Sequence, residues 1–179
     1  EGYIVVALSW VFFSVFGMVP YLWGGFIPNI TDAFFETMSG FTTTGATILD
    51  NIESMPHGIL FWRSLTQWIG GLGIVCFTIV LLPGFGASSQ MLYLSEATGV
   101  THNKLYPKTR VMARYIFMVY ILLTAIESAL LMAGGMGLFD ALCHSMTTTA
   151  TGGFSTKQES IAYWHSPYME YVVSIFMLL

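Results

Sequence analysis

The sequence predicts an all-α membrane protein made of two tandem repeats, each with a spanning helix, a re-entrant half-helix, a filter-like coil and a second spanning helix. Three observations support this fold class. Only 9% of the 179 residues are charged, against about 25% in soluble domains. Two charge-free runs, 2–31 and 64–95, each exceed the roughly 20 residues that cross the hydrocarbon core. A run of small and hydroxyl residues, 42–47, is also echoed at 150–155.

The echo has a constant offset of 108 positions and indicates an internal duplication. It needs no gap, and the matched residues include polar, apolar and glycine positions. They are Asp32-Ala33 with Asp140-Ala141, Met38 with Met146, Thr43 with Thr151, Gly45 with Gly153, and Thr47 with Ser155. The two copies have the same orientation, so the sequence predicts parallel repeats related by an axis along the membrane normal.

The first repeat, 1–83, opens with a spanning helix predicted from Tyr3 to about Trp23. Pro20 is expected to kink or end this helix because it lacks a donor N–H. Thr31 is the predicted cap of a short helix, with Asp32 and Glu36 in its first turn at the positive end of the helix dipole. About ten residues are too few to cross the bilayer, so this segment is predicted to be a re-entrant half-helix.

The second spanning helix of the first repeat is predicted from about Gly58 to Leu82, with Pro83-Gly84 as its end. Its glycines at 70, 71 and 73 present a smooth face on which another backbone can approach closely. A flexible kink at the same glycines is a compatible alternative.

The linker 84–114 holds four of the six basic residues: Lys104, Lys108, Arg110 and Arg114. By the positive-inside rule it is predicted to be cytoplasmic, which places both filter-like stretches on the outer side. The second repeat, 115–179, is predicted to contain a helix from Tyr115 to Ala133, a half-helix from Phe139 to Thr148 and a helix that starts near Ser166. This last helix is cut short at Leu179, and no initiator methionine precedes Glu1, so we expect a fragment of a longer protein.

The coils that follow the half-helices have the composition expected of an ion filter. A cation that leaves water needs other oxygens, and an extended backbone supplies them when its carbonyls point at one axis. Glycine permits the dihedral angles that this needs, and threonine hydroxyls add further oxygens. The candidate ion-binding residues are Thr43, Thr44, Gly45, Ala46 and Thr47 in the first coil, and Thr151, Gly152, Gly153 and Phe154 in the second. No other metal site and no cofactor is expected.

The same residues resemble a known family. Four stretches are similar to TrkH-type subunits of the Trk/Ktr/HKT potassium transporter superfamily. They are the run from Phe34 to Thr47, Phe61-Trp62-Arg63-Ser64, the run from Trp68 to Gly73, and the run from Ala150 to Thr156. The resemblance covers essentially the whole chain. It implies four such units around one pore, with potassium as the transported ion. It also implies a membrane-embedded homodimer with a cytoplasmic nucleotide-binding regulatory subunit of the TrkA type. Only the central glycine of a potassium-channel filter is kept in each coil, which favours weaker selectivity.

Several polar residues allow two interpretations. Asp50, Glu53 and Glu159 concentrate cations at the outer mouth, or are ordinary solvated loop residues. Arg63 pairs with Asp50 or Glu53 and braces the filter, or extends to the membrane interface.

Glu127 is an acidic residue in an apolar run, which indicates a functional group unless the run tilts it to an interface. Cys76 and Cys143 are predicted to be buried free thiols, and the four histidines lack the spacing of metal ligands.

Two functional hypotheses follow. The first is an ion-conducting transporter subunit in the cell membrane, and the second is a non-conducting scaffold in which the glycines only pack helices. The scaffold does not explain two half-helices that are each followed by the same kind of coil. A carrier of ammonium or another small solute is less favoured, since no aromatic cage is evident. Neither a nucleic-acid surface nor a catalytic constellation is present in the sequence.

Overall fold

In the computed structural model, residues 2–85 and 106–178 are described, and every regular element among them is helical. The α-helices are α1 (Gly2–Gly17), α2 (Val19–Trp23), α3 (Ile30–Phe41), α4 (His57–Phe85), α5 (Tyr106–Ala133), α6 (Leu138–Thr149) and α7 (Pro167–Met177). A 3₁₀ turn at Ser160–Trp164 precedes α7. The prediction of an all-helical chain is confirmed for these residues.

The start of the first repeat differs from the prediction in three details. The first helix is interrupted at Met18, and Pro20 lies in the first turn of α2, where its lack of an N–H is tolerated. The cap of α3 is Asn29 rather than Thr31, because the Asn29 side chain accepts a hydrogen bond from the Thr31 N–H at 3.0 Å. Asp32 is in the first turn as predicted, whereas Glu36 lies one turn further along and is buried.

The helix ends around the linker also differ. The α4 helix continues through Pro83 to Phe85, so the predicted stop at Pro83 is wrong. A membrane helix tolerates a proline when local adjustments satisfy the freed carbonyl. The α5 helix starts at Tyr106, nine residues before the predicted Tyr115, with Pro107 in its first turn. The expectations for residues 86–105, including Lys104, lie outside the described residues.

The two half-helices confirm the duplication. Helices α3 and α6 each contain 12 residues, and both their first and last residues are 108 positions apart. At 1.5 Å per residue each is about 18 Å long, well short of the roughly 30 Å hydrocarbon core. Ala33 and Ala141, an equivalent pair, are both fully buried in the hydrophobic cores of their own repeats.

Helix α4 is the central element because it packs against both half-helices. In addition, α1 packs on α3, and α5 packs on α6. The glycine face predicted on α4 is used for this packing. A side chain on Gly70 would overlap the Phe41 carbonyl, and one on Gly71 would lie 3.0 Å from Ala150. The close approach predicted for these glycines is therefore confirmed.

Gly71→Leu is expected to lower the amount of assembled protein, since the new Cβ would also lie 2.7 Å from the Tyr120 hydroxyl. Overpacking of this kind costs about 1–3 kcal/mol. The measurement is the yield of monodisperse protein after extraction from membranes. Gly58→Leu on the same helix is the control, because nothing lies within 4 Å of its Cβ position. Equal yields for the two variants would contradict the packing role of Gly71.

Within the described residues, Ala113–Ala133 is long and apolar enough to cross a membrane, with a mean hydropathy of 2.1. Ala7–Trp23 is a shorter apolar stretch. Much of the surface of these helices is hydrophobic. Phe12, Phe16 and Leu122, for example, are each more than half exposed. Apolar surface of this extent is typical of contact with lipid.

Candidate ion-coordination site

The coils after the two half-helices have the same unusual backbone. Thr43 and Gly45 have φ of +54° and +75°, and their equivalents Thr151 and Gly153 have φ of +53° and +86°. The residues between them do not have positive φ, so left-handed and right-handed conformations alternate. A β-branched residue in the left-handed region costs about 1–3 kcal/mol and persists only where its surroundings enforce it. Two such threonines at equivalent positions indicate a built feature.

In the first coil, the N–H groups point back at the half-helix. The Thr43 N–H donates to the Gly40 carbonyl at 3.0 Å, and those of Thr44 and Gly45 donate to the Ser39 carbonyl at 3.0 and 3.5 Å. In a trans peptide the N–H and the preceding C=O point in opposite directions. The carbonyls of Thr42, Thr43 and Thr44 are therefore directed away from α3.

The second coil repeats two of these hydrogen bonds and has its third support from α4. The Thr151 and Gly152 N–H groups donate at 2.8 Å to the carbonyls of Thr148 and Thr147 in α6. The Phe154 N–H donates to Oε1 of Gln67 in α4 at 3.0 Å. By the same geometry the carbonyls of Ala150, Thr151 and Gly153 face away from these supports. Among residues 2–85 and 106–178, none of the six outward-directed carbonyls accepts a hydrogen bond.

The two coils lie side by side. A Cβ on Gly45 would overlap the carbonyl oxygen of Gly152, and a Cβ on Gly152 would overlap the amide of Gln67. Gln67 is fully buried, and its Nε2 has no partner within the described part of the chain. The glycines thus allow the two backbones to approach each other, and Gln67 supports the second coil from behind.

A buried ion pair holds the C-terminal end of the first coil. The Arg63 Nε lies 2.8 Å from Oε1 of Glu36, and both side chains are at most 1% exposed. The Thr47 hydroxyl donates to Glu36 at 3.0 Å and accepts from the Arg63 Nη2 at 3.2 Å. Glu36 also accepts from the Ile48 N–H at 3.0 Å. The carboxylate is therefore used to fix the coil and not to compensate the helix dipole.

Arg63 also reaches the second coil. Its Nη1 donates to the Ser155 carbonyl at 3.1 Å, and its guanidinium lies 4.2 Å from the centre of the Phe154 ring. Bracing by Arg63 agrees with one of the two sequence interpretations, but the predicted partners, Asp50 and Glu53, are wrong. The other interpretation, extension to the membrane interface, is also wrong because Arg63 is buried.

His144 has the same place in the second repeat as Glu36 has in the first, 108 positions apart. Its Nε2 lies 2.9 Å from the Ser155 hydroxyl, and its Nδ1 lies 2.7 Å from the Asp140 carbonyl. Thr47 and Ser155 are equivalent as well. One buried polar side chain of each half-helix therefore holds the hydroxyl at the C-terminal end of its own coil.

The structure separates the candidate site residues into three groups. Thr43, Thr44, Thr151 and Gly153 have carbonyls directed away from the scaffold, and Gly45 and Gly152 bring the coils together. By contrast, the Ala46 carbonyl accepts from the Ser39 hydroxyl at 2.6 Å. The Thr47 hydroxyl, the Phe154 N–H and the Phe154 ring are likewise held by scaffold residues, as described above.

Sequence reasoning missed Thr42 and Ala150, whose carbonyls join the outward-directed set, and it missed the supporting Ser39, Gln67 and His144. The constant offset of 108 was the available signal for His144, since Glu36 had already been noted. Gln67 lies one helical turn beyond Arg63 and could have been placed on the same face of α4.

The remaining singled-out residues lie around this site. Asp50, Glu53 and Glu159 are exposed, and Glu53 lies 4.0 Å from Lys157. Glu127 is fully buried, with the Thr149 hydroxyl 3.5 Å from its Oε2. Glu127 is thus held inside the protein against α6, and its functional role stays a prediction. Cys143 is a buried free thiol as predicted, and the burial of the Cys76 side chain stays a prediction.

The chain is similar to known proteins along its whole length. The family model described as TrkH, cation transport protein, matches residues 1–179. The Trk system potassium uptake protein TrkH of Escherichia coli (strain K12) is 42% identical over 182 residues, which cover 100% of this chain and 38% of the relative. TrkG of the same organism is 40% identical, with 100% and 37% covered. The crystal structure of the potassium transporter TrkH from Vibrio parahaemolyticus matches with a TM-score of 0.83 at 35% identity, and covers 99% of this chain and 35% of that chain.

Proposed function

This chain belongs to the TrkH family of cation transport proteins, and we propose that it forms part of a pathway for potassium uptake across the cell membrane. The family assignment makes it a membrane protein with a potassium-channel-like transporter fold. The chain spans about 38% of the length of the relatives it matches. The activity of the whole protein is therefore part of the proposal and not of the assignment.

The observation that carries the proposal is the pair of coils with outward-directed carbonyls. Their backbones alternate in handedness at equivalent positions, and the C-terminal ends of two half-helices support them. Half-helix C-termini carry partial negative charge and favour a cation. Carbonyl oxygens in this arrangement replace the water shell of an ion. In the proposed filter, Thr43, Thr44, Thr151 and Gly153 supply carbonyls, Gly45 and Gly152 set the spacing, and Ala46, Thr47 and Phe154 anchor the ends.

The architecture of the whole protein follows from the same proposal. The repeats 1–83 and 115–179, with a cytoplasmic linker 84–114, supply two of four units around one pore. The filter faces outside, and membrane lipid surrounds the apolar helices. The complete protein is proposed to be a homodimer with a cytoplasmic nucleotide-binding regulatory subunit of the TrkA type. Potassium is its substrate, no cofactor takes part, and the activity is transport rather than catalysis.

A non-conducting scaffold is less well supported. Close packing at Gly70 and Gly71 fits a scaffold equally well. A scaffold, however, gains nothing from two threonines in left-handed conformation, each in a coil whose carbonyls are left without hydrogen-bond donors in the described part of the chain. Such strain is typical of ligand-binding segments.

The proposal is tested by uptake in cells that lack their own potassium transporters. The full-length protein containing this chain is expected to restore growth on low potassium and to accumulate the potassium analogue rubidium. A variant with Gly45→Ser and Gly153→Ser, at equal membrane level, is the negative control. Absence of uptake by well-expressed wild-type protein, with its regulatory partner present, would contradict the proposal.

A further inference from the structure

Arg63 contacts both repeats through separate atoms of one guanidinium group. Nε contacts Glu36 and Nη2 contacts Thr47 in the first repeat, while Nη1 contacts the Ser155 carbonyl in the second. The Phe154 ring lies against the face of the same group. We propose that the Arg63–Glu36 pair is a positioning element that sets the spacing of the two coils and thereby the discrimination between potassium and sodium. This inference rests on the proposed function.

Stability alone does not account for a pair of this kind. Taking two charges out of water costs several kcal/mol per ion, and apolar replacements of similar volume are often as stable or more stable. An apolar pair cannot hold polar groups of both coils at fixed distances, as this pair holds the Thr47 hydroxyl, the Ile48 N–H and the Ser155 carbonyl. An arginine suits this task because its planar group presents donors in fixed directions, whereas lysine presents a single flexible point charge.

The contacts of Arg63 are close to the proposed coordinating carbonyls. Phe154, against which the guanidinium packs, directly follows Gly153, and Thr47 is two residues after Gly45. Gln67, one turn further along α4, holds the Phe154 N–H at 3.0 Å. Arg63 and Gln67 thus form one row on α4 that faces the second coil. A shift of this row moves the Gly153 carbonyl relative to the first coil.

Selectivity is the property most sensitive to such a shift. Potassium and sodium differ in size, so a filter discriminates between them by a small difference in coordination energy. A tenfold change in the ion ratio corresponds to about 1.4 kcal/mol. Loosening of the outer ends of both coils is therefore expected to change the ion ratio more than the amount of folded protein.

The test compares rubidium and sodium uptake, each divided by the amount of protein in the membrane. Arg63→Lys is expected to lower the rubidium-to-sodium ratio about tenfold and to raise the KM for potassium. The double variant Glu36→Leu with Arg63→Met removes both charges together and is expected to show the same loss with near-normal protein levels. Lys157→Gln is the control, since it removes one positive charge from the same outer side without touching the pair, and it should leave the ratio unchanged.

Two outcomes would overturn the inference. One is a wild-type ratio in Arg63→Lys or in the double variant. The other is an unchanged rubidium-to-sodium ratio in Thr47→Val, which decides the question if both variants fail to reach the membrane. Thr47→Val keeps the side-chain shape and the ion pair but removes the bridging hydroxyl. The inference requires that it lower the ratio about threefold. Absence of potassium uptake by the wild-type protein would overturn the proposed function itself. Uptake by the wild type with an unchanged ratio in the variants would overturn only the positioning role, so the two failures are distinguishable.

Discussion

Gly45→Ser is expected to lower potassium uptake at least tenfold and to admit sodium, while the protein still reaches the membrane. Gly45 has φ of +75°, and a Cβ at this position would overlap the Gly152 carbonyl oxygen of the neighbouring coil. The left-handed conformation alone costs a non-glycine residue about 1–2 kcal/mol. The overlap with a backbone atom adds to this cost, because a backbone cannot rotate aside as a side chain does. The measurement is uptake of rubidium and sodium per molecule in the membrane.

Gly153→Ser provides an internal comparison. Gly153 also has positive φ, +86°, but nothing lies within 4 Å of its Cβ position. It carries the backbone strain without the overlap, so its effect on uptake should be clearly smaller than that of Gly45→Ser. Gly25→Ser is the control for strain alone, since Gly25 has φ of +66° in open space outside the coils. Equal uptake by all three variants would contradict a filter role for both coils.

The offset of 108 positions is the part of the sequence that predicted the structure best. It placed two half-helices of equal length and two coils with the same backbone, because duplicated sequence folds through the same local interactions. The sequence also predicted close packing at the glycines of α4, since small residues allow two backbones to approach each other. These predictions depended on patterns within a short window or on a repeated window.

The partner of Arg63 could not be predicted in this way. Glu36 lies 27 residues earlier, and the exposed-looking Asp50 and Glu53 are nearer in sequence. Only the crossing of α3 and α4 decides which carboxylate meets the guanidinium. The sequence also left the helix cap open between Asn29 and Thr31, because both side chains have an oxygen that can accept from an N–H of the first turn, and the structure has Asn29 in that place.

Glu36→Ala is expected to have the largest effect on stability, a loss of about 3–5 kcal/mol in the free energy of unfolding. The reason is that Arg63, only 1% exposed, would remain as a buried charge without its partner. The Ile48 N–H would also lose its acceptor. The measurement is denaturant unfolding of the purified full-length protein in detergent. Glu36→Gln should cost less, because its amide oxygen still accepts from Arg63 and its volume is nearly the same, so that the charge of the partner is lost but the hydrogen bond is kept.

His144→Ala is the matched control for this prediction, since His144 has the equivalent place in the second repeat. It removes two hydrogen bonds, to the Ser155 hydroxyl and the Asp140 carbonyl, but leaves no unpaired charge in contact with it. We expect about 1–3 kcal/mol, the cost of unsatisfied polar groups. If Glu36→Ala costs no more than His144→Ala, the charge of Arg63 is compensated elsewhere. The Glu36→Leu, Arg63→Met double variant should then recover no stability over Glu36→Ala, whereas a buried ion pair requires that it recover most of it.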